Sequence, residues 1–194
     1  MPPENLRHVT DVSAMRALAN PVRYRIFGHL MAQGPRTASE CAAVVGASPS
    51  NCSYHLRELG RYGLVERVED GVADGRERRW RSTATGYRFG PRDGEAADPA
   101  ARFASVQLAH LGIEDESALA HAAIDAHVEL EAPWQAAETM ATYGLRVTAE
   151  ELLELGTAVD NLLRPFIGLT RDGAPTEARA VHASFRAFLL PGDE

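Results

Sequence analysis

Apolar residues in the first third of the chain recur every three to four positions, in short runs cut by Gly, Pro and small polar residues. That spacing predicts a string of short helices. Asp11 or Ser13 caps a first helix that runs through Leu18, and Asn20 followed by Pro21 starts a second, with the cap and the N1 proline in the favoured order. Val22, Ile26 and Leu30, joined by Phe27 and Met31, form the buried stripe of that helix, and Gly34-Pro35 ends it. Thr37-Ala-Ser-Glu40 is a capping box opening a third helix, which Gly46 closes. Ser48 then caps a fourth, with Pro49 at its first position, and Cys52, Leu56 and Leu59 at i, i+4 and i+7 give it one narrow apolar stripe. Two short helices joined by a tight turn containing Gly, the second with a dense polar face, make a helix-turn-helix.

The period then changes from 3.6 to 2. Leu64–Glu69 alternates as a strand, Asp70–Gly75 is a loop, and Arg76–Arg81 returns as a second strand with Trp80 facing inward. A hairpin placed directly after a helix-turn-helix is a wing. Residues 1–92 are therefore read as one winged-helix domain, and the Gly/Pro-rich stretch over 93–99 as a linker. In residues 100–194 the pattern predicts a helix over Ala100–Glu131 with a break near Gly112, stopped by Pro133-Trp134. A strand over Ala137–Val147 follows, then a helix opened by the capping box Thr148-Ala-Glu-Glu151 and ended or kinked at Pro165, and a last strand over Arg179–Leu190. The expected fold class is mainly α with small β: a winged helix-turn-helix plus a C-terminal α+β dimerisation or accessory region. Two strands are marginal alone, so these should pair with a partner subunit or pack hard on the helices.

Charge sharpens the picture. The net charge is −7, yet residues 1–92 hold 14 Arg against 9 acidic residues, and residues 93–194 hold 6 Arg against 18. A basic end and an acidic end suggest a nucleic-acid-facing domain and a partner-facing one. All 20 basic residues are Arg, which suits bidentate contacts, though genomic base composition accounts for it equally well. Cys41 and Cys52 cannot build a disulfide framework and fit a reducing compartment. No run has the length of a membrane span and no signal-peptide pattern opens the chain, so the expected location is the cytoplasm. There is no Gly-rich phosphate loop, nucleophile elbow or ligand set of catalytic spacing, so an enzyme is not expected.

The polar face of the fourth helix carries the candidate chemistry. Asn51, Tyr54, Arg57 and Arg61 point away from its apolar stripe, with Ser50, Ser53 and His55 on the flanks and Ser48 at the cap. A helix with short hydrogen-bonding side chains and Arg on its outer face fits a DNA major groove. Arg76, Arg78, Arg79 and Arg81 on the hairpin would hold the phosphate backbone or minor groove beside it. The bland alternative is a solvated helix face and a solvated ribbon. Cys41 and Cys52 read as buried structural thiols. His121 and Asp125, four apart, with His127 and Glu129 nearby, read as ordinary polar helix faces, so no metal or other cofactor is expected. Trp134, Tyr143, Phe166, Phe185 and Phe188 read as core and dimer interface, a pocket for a small-molecule effector being the alternative.

Residues 14–89 resemble the winged helix-turn-helix of ArsR-type (arsenical-resistance-repressor-like) bacterial transcriptional regulators. The likeness lies in Ala17-Leu-Ala-Asn-Pro-Val-Arg-Tyr-Arg-Ile26, in Ser48-Pro-Ser-Asn-Cys-Ser-Tyr-His-Leu-Arg57, and in Tyr62-Gly-Leu-Val-Glu66 followed by the Arg-rich hairpin. The resemblance implies a homodimer that reads an inverted repeat in double-stranded DNA and represses transcription. Where metal-sensing members carry a Cys-x-Cys on the third helix, this chain has only Cys41. A winged helix repurposed for protein–protein contact, its acidic half docking a partner, is the rival from another class, and a metal- or ligand-sensing regulator is a third.

Overall fold

The computed structural model describes residues 6–68, 78–92, 98–168, 171 and 173–192. The chain divides into two units, residues 1–121 and 122–194.

In the first unit, strand β1 (Leu6–Val9) leads into helices α1 (Val12–Leu18), α2 (Pro21–Gln33), α3 (Ala38–Val45) and α4 (Pro49–Arg61). Each helix starts where a side-chain oxygen meets an orphan backbone N–H. Asp11 accepts from Ser13, Asn20 from Arg23, Thr37 from Glu40 and Ser48 from Asn51, and Glu40 returns the bond to Thr37 to complete the capping box. Gly46, at φ 66°, closes α3 in the left-handed region, which lets the chain turn within a few residues into α4. Met15, Leu18, Ile26, Leu30, Cys41, Cys52, Leu56 and Leu59 are fully buried where these helices meet.

Two small sheets complete the unit. β2 (Val65–Arg67) pairs antiparallel with β3 (Trp80–Ser82) in the register Val65 to Ser82, Glu66 to Arg81 and Arg67 to Trp80. The expected hairpin is therefore present at its base. Its loop over Asp70–Gly75, with Glu69, Arg76 and Glu77, lies outside the described residues. The pattern of the sequence did not predict the second sheet, in which β1 lies parallel to β4 (Gly86–Phe89), Leu6 opposite Gly86 and Val9 opposite Phe89. Tyr87 anchors this sheet. Its ring meets Phe27 edge-on at 4.9 Å, and its hydroxyl donates to the Leu64 carbonyl at 3.0 Å. Arg7 ties β1 to the turn after α4 by donating to the carbonyls of Gly63 and Tyr62 and to Thr83 Oγ1.

Helix α5 (Pro99–Ala126) runs unbroken through Gly112, where a break was expected. Gly112 serves close packing instead. A Cβ there would lie 2.8 Å from the Tyr24 hydroxyl, so the missing side chain lets α5 approach α2. Ala101, Ala104 and Leu108 are buried in the same core, and Asp115 accepts from Arg25 at 2.9 Å. The start of α5 thus belongs to the first unit, and residues 93–97 of the stretch read as a linker lie outside the described residues.

The second unit holds the end of α5, a 3-10 turn at His127–Glu129, α6 (Ala132–Ala137), α7 (Ala149–Leu163) and a 3-10 turn at Arg164–Phe166. Pro133 does not stop a helix; it sits in the first turn of α6, where its missing N–H costs nothing. Thr148 and Glu151 form the expected capping box of α7, and Pro165 follows its end. The strands expected over Ala137–Val147 and Arg179–Leu190 do not form within the chain: residues 138–148 and 178–190 have neither helix nor ladder. The fold is mainly α with a small amount of β, and its described strands all lie in the first unit.

Candidate nucleic-acid interface

The cap at Ser48 fixes the first turn of α4, and the stripe of Cys52, Leu56 and Leu59, all at 0% exposure, fixes its rotation about its own axis. Everything else on the helix follows from those two constraints. Ser50, Asn51, Tyr54, Arg57 and Arg61 are exposed, and Ser53 is half-buried on the flank. Tyr54 and Arg57 stand one turn apart on the outer face, and Arg57 makes no ion pair among the described residues. Arg61 is bound to Glu58 at 3.1 Å, so its charge is partly neutralised. The hydroxyl of Ser48 is already taken by the Asn51 N–H. Its role is to start the helix. Ser48→Ala should therefore lower stability by about 1 kcal/mol, read from thermal or denaturant melts, without altering the outer face. Unchanged melts would show that the cap is not needed.

His55 is corrected. Only 8% exposed, it lies inside the flank against Tyr54, ring centroids 5.3 Å apart, and does not face outward. The sequence held the signal. Position 55 is three residues after Cys52 and four before Leu59, which places it beside the buried stripe on the Leu59 side. Its Nδ1 has no hydrogen-bond partner among the described residues. Burial, and then the nearby charge of Arg23, hold its pKa below the usual 6.5. His29 is lowered in the same way by its burial and by Arg36. The sign follows from linkage. Below pH 6.5 the unfolded chain takes up protons that the folded chain refuses, so this stability is complete above 6.5 and is lost as pH falls through the folded values. The melting temperature should decline between pH 7 and about 5, with His55→Gln flattening part of the decline. A wild-type melting temperature flat across that window would contradict the neutral, buried imidazole.

The wing is fixed to this helix through Trp80. Its ring packs on Gly60, where a Cβ would lie 3.1 Å from the indole, and its backbone exchanges two hydrogen bonds with Arg36 at 2.8 and 2.9 Å. Arg81 is exposed on β3, Arg78 and Arg79 are exposed just before it, and Arg76 lies outside the described residues. Arg81 meets Glu66 across the ladder at 2.7 Å, while Arg78 and Arg79 make no ion pair among the described residues. Reading the sequence missed Arg67, exposed on β2 with its guanidinium 5.1 Å over the Trp80 ring. Its place opposite Trp80 in the hairpin register was the available clue. Arg57, Glu58, Gly60, Arg61, Val65, Glu66, Arg67 and Trp80 line an open depression of about 570 Å³ between α4 and the wing. Three cations and two anions there leave a positive surplus.

Cys41 and Cys52 are buried free thiols. Burial pushes Cys41 up to about 11, with further contributions from Cys52 and Glu40, and burial also raises Cys52, so both stay protonated and inert. Among the described residues no group of His, Cys, Asp and Glu could hold a metal ion, and no helix is long and apolar enough to cross a membrane. Tyr143, Phe166 and Phe188 are exposed, as is Phe185, and Trp134 is half-buried beneath Arg179.

A family model described as a helix-turn-helix domain matches residues 18–68. Among solved structures, the chain is similar to a possible transcriptional regulator for arsenical resistance, with 29% identity over 50% of this chain and 79% of that one and a TM-score of 0.32. It is also similar to the winged helix-turn-helix DNA-binding domain, described as homodimeric, of a possible ArsR-family regulator from Mycobacterium bovis. That match has 26% identity over 56% of this chain and 81% of that one, at a TM-score of 0.33. A third is a MarR family transcription regulator, with 16% identity over 83% and 80% of the two chains at a TM-score of 0.33. No curated protein matches the chain. Residues 18–68 match the helix-turn-helix domain model, and with the base of the hairpin that follows they form a winged helix-turn-helix.

Proposed function

We propose that this protein is a sequence-specific regulator that binds double-stranded DNA as a symmetric homodimer, reads an inverted repeat and represses transcription from it in the cytoplasm. The observation that carries this reading is the outer face of α4. Ser50, Asn51, Tyr54 and Arg57 are exposed together on the second helix of a helix-turn-helix, beside Arg78 and Arg79, which make no ion pair among the described residues. The α4 helices of two copies would enter successive major grooves about 34 Å apart, with the wings on the flanking backbone. Repression follows if a bound dimer covers promoter DNA that polymerase needs.

The test is a titration of the full chain against duplex DNA at rising salt. Arg78 and Arg79 from two copies make about four phosphate-accessible cations, so log K should fall against log salt with a slope of about −4. Affinity that does not change with salt, or no binding at low salt, would overturn the reading.

A further inference from the structure

The depression of about 570 Å³ between α4 and the wing has an apolar part, Gly60, Val65 and Trp80, and a charged part. Its two carboxylates are already answered. Glu58 meets Arg61 at 3.1 Å, and Glu66 meets Arg81 at 2.7 Å. The other two arginines of the lining, Arg57 and Arg67, make no ion pair and no hydrogen bond among the described residues. Arg57 stands on the outer face of α4, where the proposed function uses it on a base. Arg67 is the cation left to the depression.

The hairpin register fixes where Arg67 stands. It lies opposite Trp80, and residues opposite one another share a face of the ribbon. Trp80 packs on Gly60, so that face is turned to α4. The Arg67 guanidinium lies 5.1 Å from the centroid of the indole ring. This contact steadies the charge, and the N–H donors keep no acceptor among the described residues. A side chain held in place beforehand loses less freedom when it binds. Phosphate is an anion that a guanidinium fork meets with paired hydrogen bonds.

A duplex supplies that anion at this place. With α4 in a major groove and the wing on the flanking backbone, the sugar–phosphate strand that walls the groove passes between the two. A ridge lying between two docked elements needs a concavity between them. The apolar part of the depression suits the C–H groups of deoxyribose, and its positive surplus suits the phosphate. We propose, building on the DNA-binding reading above, that the depression between α4 and the wing seats one phosphate of that strand and that Arg67, steadied on Trp80, is the cation that binds it. The contact is blind to sequence and sets how deeply the wing and α4 straddle the backbone.

The test follows Arg67→Ala and Arg67→Lys in the full chain, on a duplex selected by the wild type from a random pool and on unrelated duplex, over a range of salt. Arg67 is exposed, so its replacement opens no cavity. Two copies neutralise about two phosphates through it, so Arg67→Ala should make the slope of log K against log salt shallower by about 2. Both duplexes should weaken alike, by about tenfold or more. Arg67→Lys keeps the charge and should return the slope, with affinity only partly restored because an ammonium makes no paired contact. Replacing phosphates of the selected duplex one at a time by uncharged methylphosphonate locates the seat. One position in each half-site should weaken the wild type and leave Arg67→Ala unaffected.

An Arg67→Ala chain with the wild-type slope overturns the seat and leaves DNA binding standing. A loss confined to the selected duplex also overturns it, because Arg67 would then read a base. Arg67→Lys with the slope of Arg67→Ala overturns it as well, since charge would not be what was lost. So do methylphosphonate effects that are identical in the wild type and Arg67→Ala at every position. A wild type that binds no duplex at low salt overturns the seat and the DNA-binding reading together.

Discussion

Arg57→Ala should weaken binding to the specific operator by about 1–3 kcal/mol, roughly 5- to 150-fold, while changing affinity for unrelated DNA far less. Arg57 is exposed, projects from a helix whose rotation is locked by three fully buried side chains, and is bound to no carboxylate among the described residues. A guanidinium in that position can present two parallel N–H donors to the O6 and N7 of a guanine, a pattern only one base offers in the major groove. Tyr54→Ala, one turn earlier, should have an effect of the same size where its ring meets a thymine methyl or its hydroxyl a base edge. Arg79→Ala provides the contrast. It lies on the wing and has no base to read, so its loss should weaken all sequences alike and make the salt slope shallower by about 1 for each phosphate it had neutralised. Competition titrations of the three variants on operator and random duplex would separate these behaviours. Equal losses on both duplexes for Arg57→Ala would remove it from base reading.

Trp80→Ala should cost about 3–5 kcal/mol of stability, the range for deleting a buried aromatic. The indole is 9% exposed, packs against the backbone of α4 at Gly60 and takes the Arg67 guanidinium on its face. Its own backbone bonds to Arg36 hold the return strand to the chain just before α3. No smaller side chain fills the space between helix and hairpin, and the residual cavity adds to the lost burial. The same substitution should loosen the wing, so exchange at the β2–β3 amides should accelerate more than exchange within α1. A loss below about 1 kcal/mol, or uniform acceleration everywhere, would show that Trp80 is not the tie between wing and helix.

How much of this was legible in the sequence depends on how local each cause is. The helices of the first unit and α7 were legible from caps, because a cap is a contact between residues two or three apart: Asp11 with Ser13, Thr37 with Glu40, Ser48 with Asn51, Thr148 with Glu151. The outer face of α4 was legible for the same reason, and the misplacement of His55 was a missed step on the same helical wheel. The β1–β4 sheet was not legible. Its strands have four residues each, lie some 80 positions apart and run parallel, so no turn chemistry announces the pairing. Gly112 and Pro133 misled because each residue type has two uses. A glycine breaks a helix or lets a neighbour come close, and a proline stops a helix or starts one. The strands expected in the second unit have the right alternation, yet a strand needs a partner, and among the described residues no stretch forms a ladder with them.

Whether α4 is laid into a major groove is decided by selecting DNA fragments bound by the purified chain from a random pool and mapping protected guanine N7 positions on the winners. The expected result is one enriched motif made of two inverted half-sites about 10 base pairs apart, centre to centre, with protection in the major groove of each that disappears at one position in Arg57→Ala. Enrichment without a motif, or a motif whose protected major-groove positions are the same in Arg57→Ala and Tyr54→Ala as in the wild type, would contradict it.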